Sequence, residues 1–290
     1  MSGALGASST VHWPVPLVSN TALRVLTAIV AAPAVVGVAY WGGWPFGLLV
    51  VGIALLAQVE LYRLAEASGI QPQKVWGCVL GALVVIQPLW PPAGALALLV
   101  GATLVAALPF VFQRDGLLSS FAVTALGVFY PAALLGFLVR LRLARGPTVG
   151  SDEAFDLVLF TLLLVWASDI FAFYVGRAVG RHALAPRISP NKTWEGAVGG
   201  LVAATGIAVA FKLTVGAFVG WGHVAALAVI GGVLGPFGDL AESHLKRASE
   251  VDDSSSILPG HGGVLDRFDT MALVAPLVYL YLAYIARLVA

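Results

Sequence analysis

From Leu23 to the end of the chain, apolar residues fall in long continuous runs separated by short clusters of Gly, Pro, charged and amide residues. The runs are continuous rather than alternating, which favours helices and disfavours a strand barrel. A bilayer core of about 30 Å is crossed by roughly 20 helical residues. On that measure nine spans are predicted, near 22–40, 45–62, 75–90, 93–112, 118–139, 155–176, 195–215, 222–242 and 271–289. Pro33, Pro131 and Gly81 lie inside them, as transmembrane helices tolerate. Trp41, Trp44, Trp90 and Trp221 fall at their edges, where amphipathic rings sit at headgroup level. The expected fold is all-α, a polytopic integral membrane protein with about nine transmembrane helices.

Composition strengthens this reading. The chain is 59% hydrophobic and only 11% charged, with mean hydropathy +0.93, whereas soluble domains carry roughly 25% charged residues. An ordinary soluble enzyme is excluded. A net charge of +1 gives no basic field for nucleic acid. The single cysteine, Cys78, rules out an intramolecular disulfide and a cysteine metal cluster, and reads as a small buried hydrophobe. Residues 1–20 hold no Lys or Arg and so lack the basic region of a signal peptide. The first span is therefore expected to stay in the mature protein.

Charge placement suggests a topology. With nine spans, one side collects Arg24, Arg63, Lys74, Arg114, Arg177, Arg181, Arg187, Lys192, Lys246, Arg247 and Arg267, which are 11 of the 16 basic residues. The positive-inside rule makes that side cytoplasmic, with Arg140, Arg142 and Arg145 a local violation. The acidic residues concentrate on the same side, notably between Asp169 and Asp269. Asp169, Asp239 and Glu242 lie within or at the end of apolar spans, where ionisable groups are costly and face a cavity or a partner. Residues 1–150 thus read as a scaffold of about five helices. Residues 151–290 read as a catalytic region of about four helices with two cytoplasmic loops.

Three segments carry the chemistry. In Gly238–Arg247 a continuing helix places Asp239, Glu242 and Ser243 on one face, with Lys246 two turns on. Such carboxylates suit a hard divalent cation, and the neighbouring Lys246 and Arg247 suit phosphate. The plainer alternative is a helix end leaving the membrane among local ion pairs. Residues 258–269 surround His261 with Gly260, Gly262 and Gly263, then give Asp266, Arg267 and Asp269. Glycines let backbone N–H groups approach phosphate oxygens, and a helix start favours anions. Asp266 and Asp269, three residues apart, can face one site, and with Asp239 and Glu242 they form the candidate metal ligands. In Arg187–Gly196, Ser189 followed by Pro190 reads as the N-cap of the seventh span. Lys192 and Thr193, with Ser189 and Asn191, then become candidates for holding phosphate. Ser189-x-x-Lys192 also spells an acyl-enzyme serine motif, but its companion elements are missing. The assembled kit suits phosphoryl or nucleotidyl transfer at the lipid headgroup level.

Ser243-His-Leu-Lys246-Arg247 followed by Leu258-Pro-Gly-His261-Gly262-Gly263-Val-Leu-Asp266-Arg267-Phe-Asp269 closely resembles the C-terminal motif of the phosphatidate cytidylyltransferases, also called CDP-diacylglycerol synthases. Asp169-x-Phe-Ala-Phe-Tyr-x-Gly176-Arg177 and Ile188–Gly196 look like a second region of that family. The resemblance spans roughly residues 165–275 and departs at Asp252-Asp253, where the family usually has Lys-Asp. It implies CTP and phosphatidate as substrates, Mg²⁺ as cofactor with a second cation left open, and a homodimer, while the short chain without a transit peptide favours a bacterial inner membrane and the positive-inside rule sets the active site on the cytoplasmic face. It also implies that Asp239 and Asp266 bind metal and that Lys246, Arg247, His261 and Arg267 serve phosphates. Two other readings remain. One is a transporter with intramembrane carboxylates. The other is a kinase or cytidylyltransferase for a different lipid.

Overall fold

The computed structural model of the protein describes residues 20–112, 116–249, 254–255 and 262–289. Among them the chain forms nine helical rods and one short hairpin. The rods are α1 (Asn20–Trp41), α2 (Gly43–Ala67), α3 (Lys74–Leu89), α4 (Pro92–Phe112), α5 (Leu117–Leu143), α6 (Ser151–Val179), α7 (Trp194–Thr214), α8 (Trp221–Ala248) and α9 (Leu265–Ile285). Each overlaps one predicted apolar run. Among the described residues, α2 and α5 to α9 are long and apolar enough to cross a membrane, six where the sequence suggests nine. Shorter apolar stretches occur at Ile29–Trp41 and Lys74–Leu89. The protein is an all-α polytopic membrane protein.

Small residues set how closely the rods approach. A side chain at Gly196 would meet the Ala172 carbonyl at 2.7 Å, and one at Gly200 the Ser168 carbonyl at 3.0 Å, so α6 and α7 lie backbone to backbone. At Gly238 a methyl group would sit 2.6 Å from the Asp269 carbonyl, which lets α8 press against the start of α9. Leu157, Leu164, Leu227, Val274 and Val278 fill the interior with no exposure, while Leu104, Phe121, Phe173 and Val202 point outward, as a lipid-facing surface requires. Turns of π-helix interrupt α5 at Val128–Ala133 and α8 at Ile230–Leu234. The first contains Pro131, which removes a donor from the helical ladder.

Two local expectations change. Ser189 does not cap the seventh helix: Ser189–Thr193 forms a strand, β2, antiparallel to β1 (Ala183–Ala185), with Ala183 opposite Thr193 and Ala185 opposite Ser189. The cap is Thr193, whose hydroxyl accepts a 3.1 Å hydrogen bond from the Gly196 amide. Pro190 is accommodated because a two-stranded ribbon leaves each strand an open edge. The second change is at α9, which begins at Leu265 rather than near 271.

The Arg140–Arg145 violation also gains a physical reason. Arg142 is nearly buried at the bundle end opposite the polar segments. Its guanidinium donates to the carbonyls of Ala39 at 2.7 Å, Tyr40 at 2.9 Å and Ser151 at 3.2 Å. It therefore satisfies orphan carbonyls at the end of α1. The charge is held for structure.

Candidate active site

The end of α8, the start of α9, strand β2 and the ends of α2 and α6 converge at one end of the bundle. On α8, helical spacing puts Asp239 and Glu242 on one side, and the Gly238 contact brings Asp269 of α9 against them. One carboxylate oxygen from each of Asp239, Glu242 and Asp269 lies within 4.8 Å of the other two. Glu242 is 1% exposed and Asp269 6% exposed, and Glu242 Oε1 has no hydrogen bond among the described residues. Asp269 accepts from the Thr270 amide at 2.5 Å, and the Ser243 hydroxyl donates to Asp239 at 3.2 Å.

Two lysines reach this cluster from different elements. Lys192 Nζ on β2 lies 2.7 Å from Asp239 Oδ2. Lys246 Nζ lies 2.8 Å from Glu242 Oε2 and 2.6 Å from Asp266 Oδ1. The hairpin that displaced the expected cap is therefore what carries Lys192 to the carboxylates. Asp169 on α6 lies within charge interaction range of Asp239, Lys192 and Arg267.

Asp266 stands outside the carboxylate triad. Besides Lys246 it engages the Ser254 hydroxyl at 2.8 Å, the Ser254 amide at 3.2 Å and the Gly263 amide at 2.7 Å. Asp266 and Asp269 thus point to different partners: Asp266 organises a lysine and a loop, and Asp269 joins the triad. Backbone groups expected to be open to phosphate are engaged by the protein itself. The Gly263 amide goes to Asp266, and the Val264 and Leu265 amides go to Glu60 at 3.0 and 2.7 Å.

Of the other candidates, Thr193 spends its hydroxyl on capping α7, Ser189 is half-buried in β2, and Asn191 is exposed there. Arg247 and Arg267 are exposed on α8 and α9, and Gly262 adopts a left-handed φ of 76°. His261 and the Asp252-Asp253 pair lie outside the described residues. His182 is exposed and pairs with Glu195 at 2.6 Å.

Residues from the first half also arrive. Glu60 on α2 is fully buried and bound to the loop before α9. Tyr130, in the π-turn of α5, has a buried hydroxyl with no hydrogen bond among the described residues, and it lies within charge range of Asp269, Glu242 and Asp239. A π-turn is the local signal that can flag such a residue, because it re-aims side chains near functional sites. Glu60 offers only an acid near the end of an apolar run.

The donor set is chemically suited to a divalent cation. Three carboxylates clustered at this distance, two of them buried and one with an unpartnered oxygen, fit a hard oxygen-preferring ion such as Mg²⁺. The two lysines add positive charge at the margin, where anionic oxygens can be met.

The sequence pattern of the Cytidylyltransferase family matches residues 22–285. The phosphatidate cytidylyltransferase of Brucella abortus (strain 2308) is 36% identical over 276 residues, covering 93% of this chain and 96% of that protein. Those of Bacillus subtilis (strain 168) and Synechocystis sp. are 29% and 30% identical, over 90% and 89% of this chain and 97% and 95% of theirs.

Proposed function

The chain belongs to the cytidylyltransferase family, and from that membership we propose that it transfers the cytidylyl group of CTP to phosphatidate. The products are CDP-diacylglycerol and pyrophosphate. The observation that carries this reading is the convergence of Asp239, Glu242 and Asp269 with Lys192 and Lys246 at one end of a membrane bundle. The reaction belongs in a bacterial inner membrane, with this end of the bundle facing the cytoplasm.

A phosphate oxygen of phosphatidate attacks the α-phosphorus of CTP. The new P–O bond replaces the bond to the β-phosphate, and the electron pair leaves on pyrophosphate. Phosphate monoesters have a second pKa of about 6, so the nucleophile is already ionised at neutral pH. A general base is unnecessary, consistent with a site built of carboxylates and ammonium groups.

The difficulty is bringing two polyanions together. Asp239, Glu242 and Asp269 would hold a divalent cation such as Mg²⁺, which when bound would supply charge neutralisation for the triphosphate. Lys192 and Lys246 flank that position from β2 and α8, where their ammonium groups screen the incoming lipid phosphate and the developing pyrophosphate charge. Asp266 keeps Lys246 in place. The half-buried setting at the membrane face brings a headgroup phosphate into reach while the acyl chains stay in lipid.

CTP labelled at its α-phosphate tests this reading. With purified protein, Mg²⁺ and phosphatidate, label is expected to move into the organic phase as a CMP-containing lipid. Label that stays aqueous with phosphatidate but moves with another lipid phosphate would replace the acceptor.

A further inference from the structure

The geometry points to Glu60 as a positioning residue for the reaction, acting from α2 through Ser254 and Asp266 on the Lys246 ammonium. This inference rests on the cytidylyl-transfer reading for its kinetic consequences, though not for its geometry.

Glu60 has no exposed surface. Its two oxygens divide four neutral donors evenly. Oε1 accepts from the Ser255 hydroxyl at 2.5 Å and the Val264 amide at 3.0 Å. Oε2 accepts from the Leu265 amide at 2.7 Å and lies 3.2 Å from the Ser254 hydroxyl, whose single proton it shares with Asp266. A buried carboxylate is stable only when such bonds replace its hydration. Val264 and Leu265 supply orphan donors of the first turn of α9. Glu60 is thus a capping carboxylate supplied by a helix about two hundred residues away in sequence, the separation of Glu60 from Leu265 being 205.

The link to chemistry runs through Ser254. Its hydroxyl lies between Glu60 and Asp266, and its amide also donates to Asp266. Asp266 in turn holds Lys246, which reaches Glu242 of the triad. The chain Glu60, Ser254, Asp266, Lys246, Glu242 is continuous. Gly263 is packed inside it: any side chain there would collide with Ser254 Oγ and with the Glu60 carboxylate. Displacing Glu60 therefore frees Ser254 and the Gly263 turn together, and Asp266 loses the frame that aims it at Lys246.

Glutamine is an informative replacement because the two oxygens are equivalent in their partners. Each faces one hydroxyl and one backbone N–H. A hydroxyl can turn to accept from an amide NH₂, but a backbone N–H cannot, so in Glu60→Gln either Val264 or Leu265 must face a donor.

The test uses Glu60→Gln and Glu60→Asp in the full-length protein in detergent, with two readouts. The first is the labelling rate of Lys246 by a small amine-reactive reagent, measured by mass spectrometry against Lys192, which is held by Asp239 and not through Glu60. Glu60→Gln is expected to raise Lys246 labelling about fivefold or more while Lys192 stays within about twofold. Equal rises at both lysines would mean general loosening, and no rise at Lys246 would mean no positioning; either overturns the proposal whatever the protein catalyses. The second is cytidylyl transfer at a temperature well below the unfolding midpoint. Turnover at saturating CTP is expected to fall about tenfold in Glu60→Gln and to recover partly in Glu60→Asp. An active wild type with unchanged Glu60→Gln turnover would overturn the proposal alone, whereas an inactive wild type would overturn the functional reading and leave the labelling result to stand.

Discussion

The Lys192 ammonium lies 2.7 Å from the Asp239 carboxylate and so fastens the β1–β2 hairpin to α8. Two separate polar segments of the sequence become one site through this pair. The Lys192 side chain is about one-fifth exposed and that of Asp239 about two-fifths, with the Lys192 Nζ atom itself buried, so a phosphate reaches the pair from the Asp239 side. A partly exposed pair of this kind adds little to stability, about 1 kcal/mol. Lys192→Ala is therefore expected to leave the unfolding midpoint within a few degrees of wild type while lowering turnover by roughly 10²-fold, as loss of one charge-stabilising donor does. Steady-state rates with CTP and phosphatidate check it, and near-normal turnover would remove Lys192 from the reaction.

Asp266→Asn keeps the size of the side chain and breaks its charge pairing with Lys246. The variant is expected to remain folded in detergent, seen as a single symmetric peak on size exclusion, with activity below about a tenth of wild type. Activity above that level would mean that Lys246 finds its position without Asp266.

Gly263→Ala must push against Ser254 and Glu60, while a methyl at Gly206 meets nothing within 4 Å. Gly206→Ala is expected to be neutral or slightly stabilising, because it removes a glycine from a helix interior at about 1 kcal/mol. Gly263→Ala is expected to cost most of the turnover. Equal activity of the two variants would show that the turn before α9 has slack the packing does not suggest.

Much of this architecture was legible in the sequence. The apolar runs and the rods agree within four residues for α1 and α3 to α7 because length and hydropathy suffice to mark such helices, while α2 and α8 run five and six residues further at their ends. At α9 they do not suffice: the polar first turn with Asp266 and Asp269 belongs to the helix only because Lys246, Thr270 and Glu60 provide partners. The Ser189-Pro190 signal was overridden by pairing with Ala183–Ala185, a contact that no local rule encodes. The motif drew attention to Asp239, Glu242, Lys246, Asp266 and Asp269, which the structure gathers at one end of the bundle, but spacing alone could not show that the two α9 aspartates face different partners. Glu60 and Tyr130 were out of reach because their relevance depends on helices brought together from the other half of the chain.

Arg142 shows the same long-range logic at the far end of the bundle. Arg142→Ala leaves the Ala39, Tyr40 and Ser151 carbonyls without this donor, a loss of about 2–4 kcal/mol. The expected result is a lower thermal midpoint with unchanged turnover per folded molecule at low temperature. A specific loss of turnover without a stability change would instead connect that end to the reaction.

The most direct measurement of the central claim is pyrophosphate release by the purified protein with CTP, Mg²⁺ and phosphatidate, each omitted in turn, in wild type and in Glu242→Gln. The account predicts release that needs all three components, that ATP cannot support in place of CTP, and that Glu242→Gln restores only at raised Mg²⁺. Release that continues without phosphatidate, or that is indifferent to Mg²⁺ and to Glu242, would contradict it.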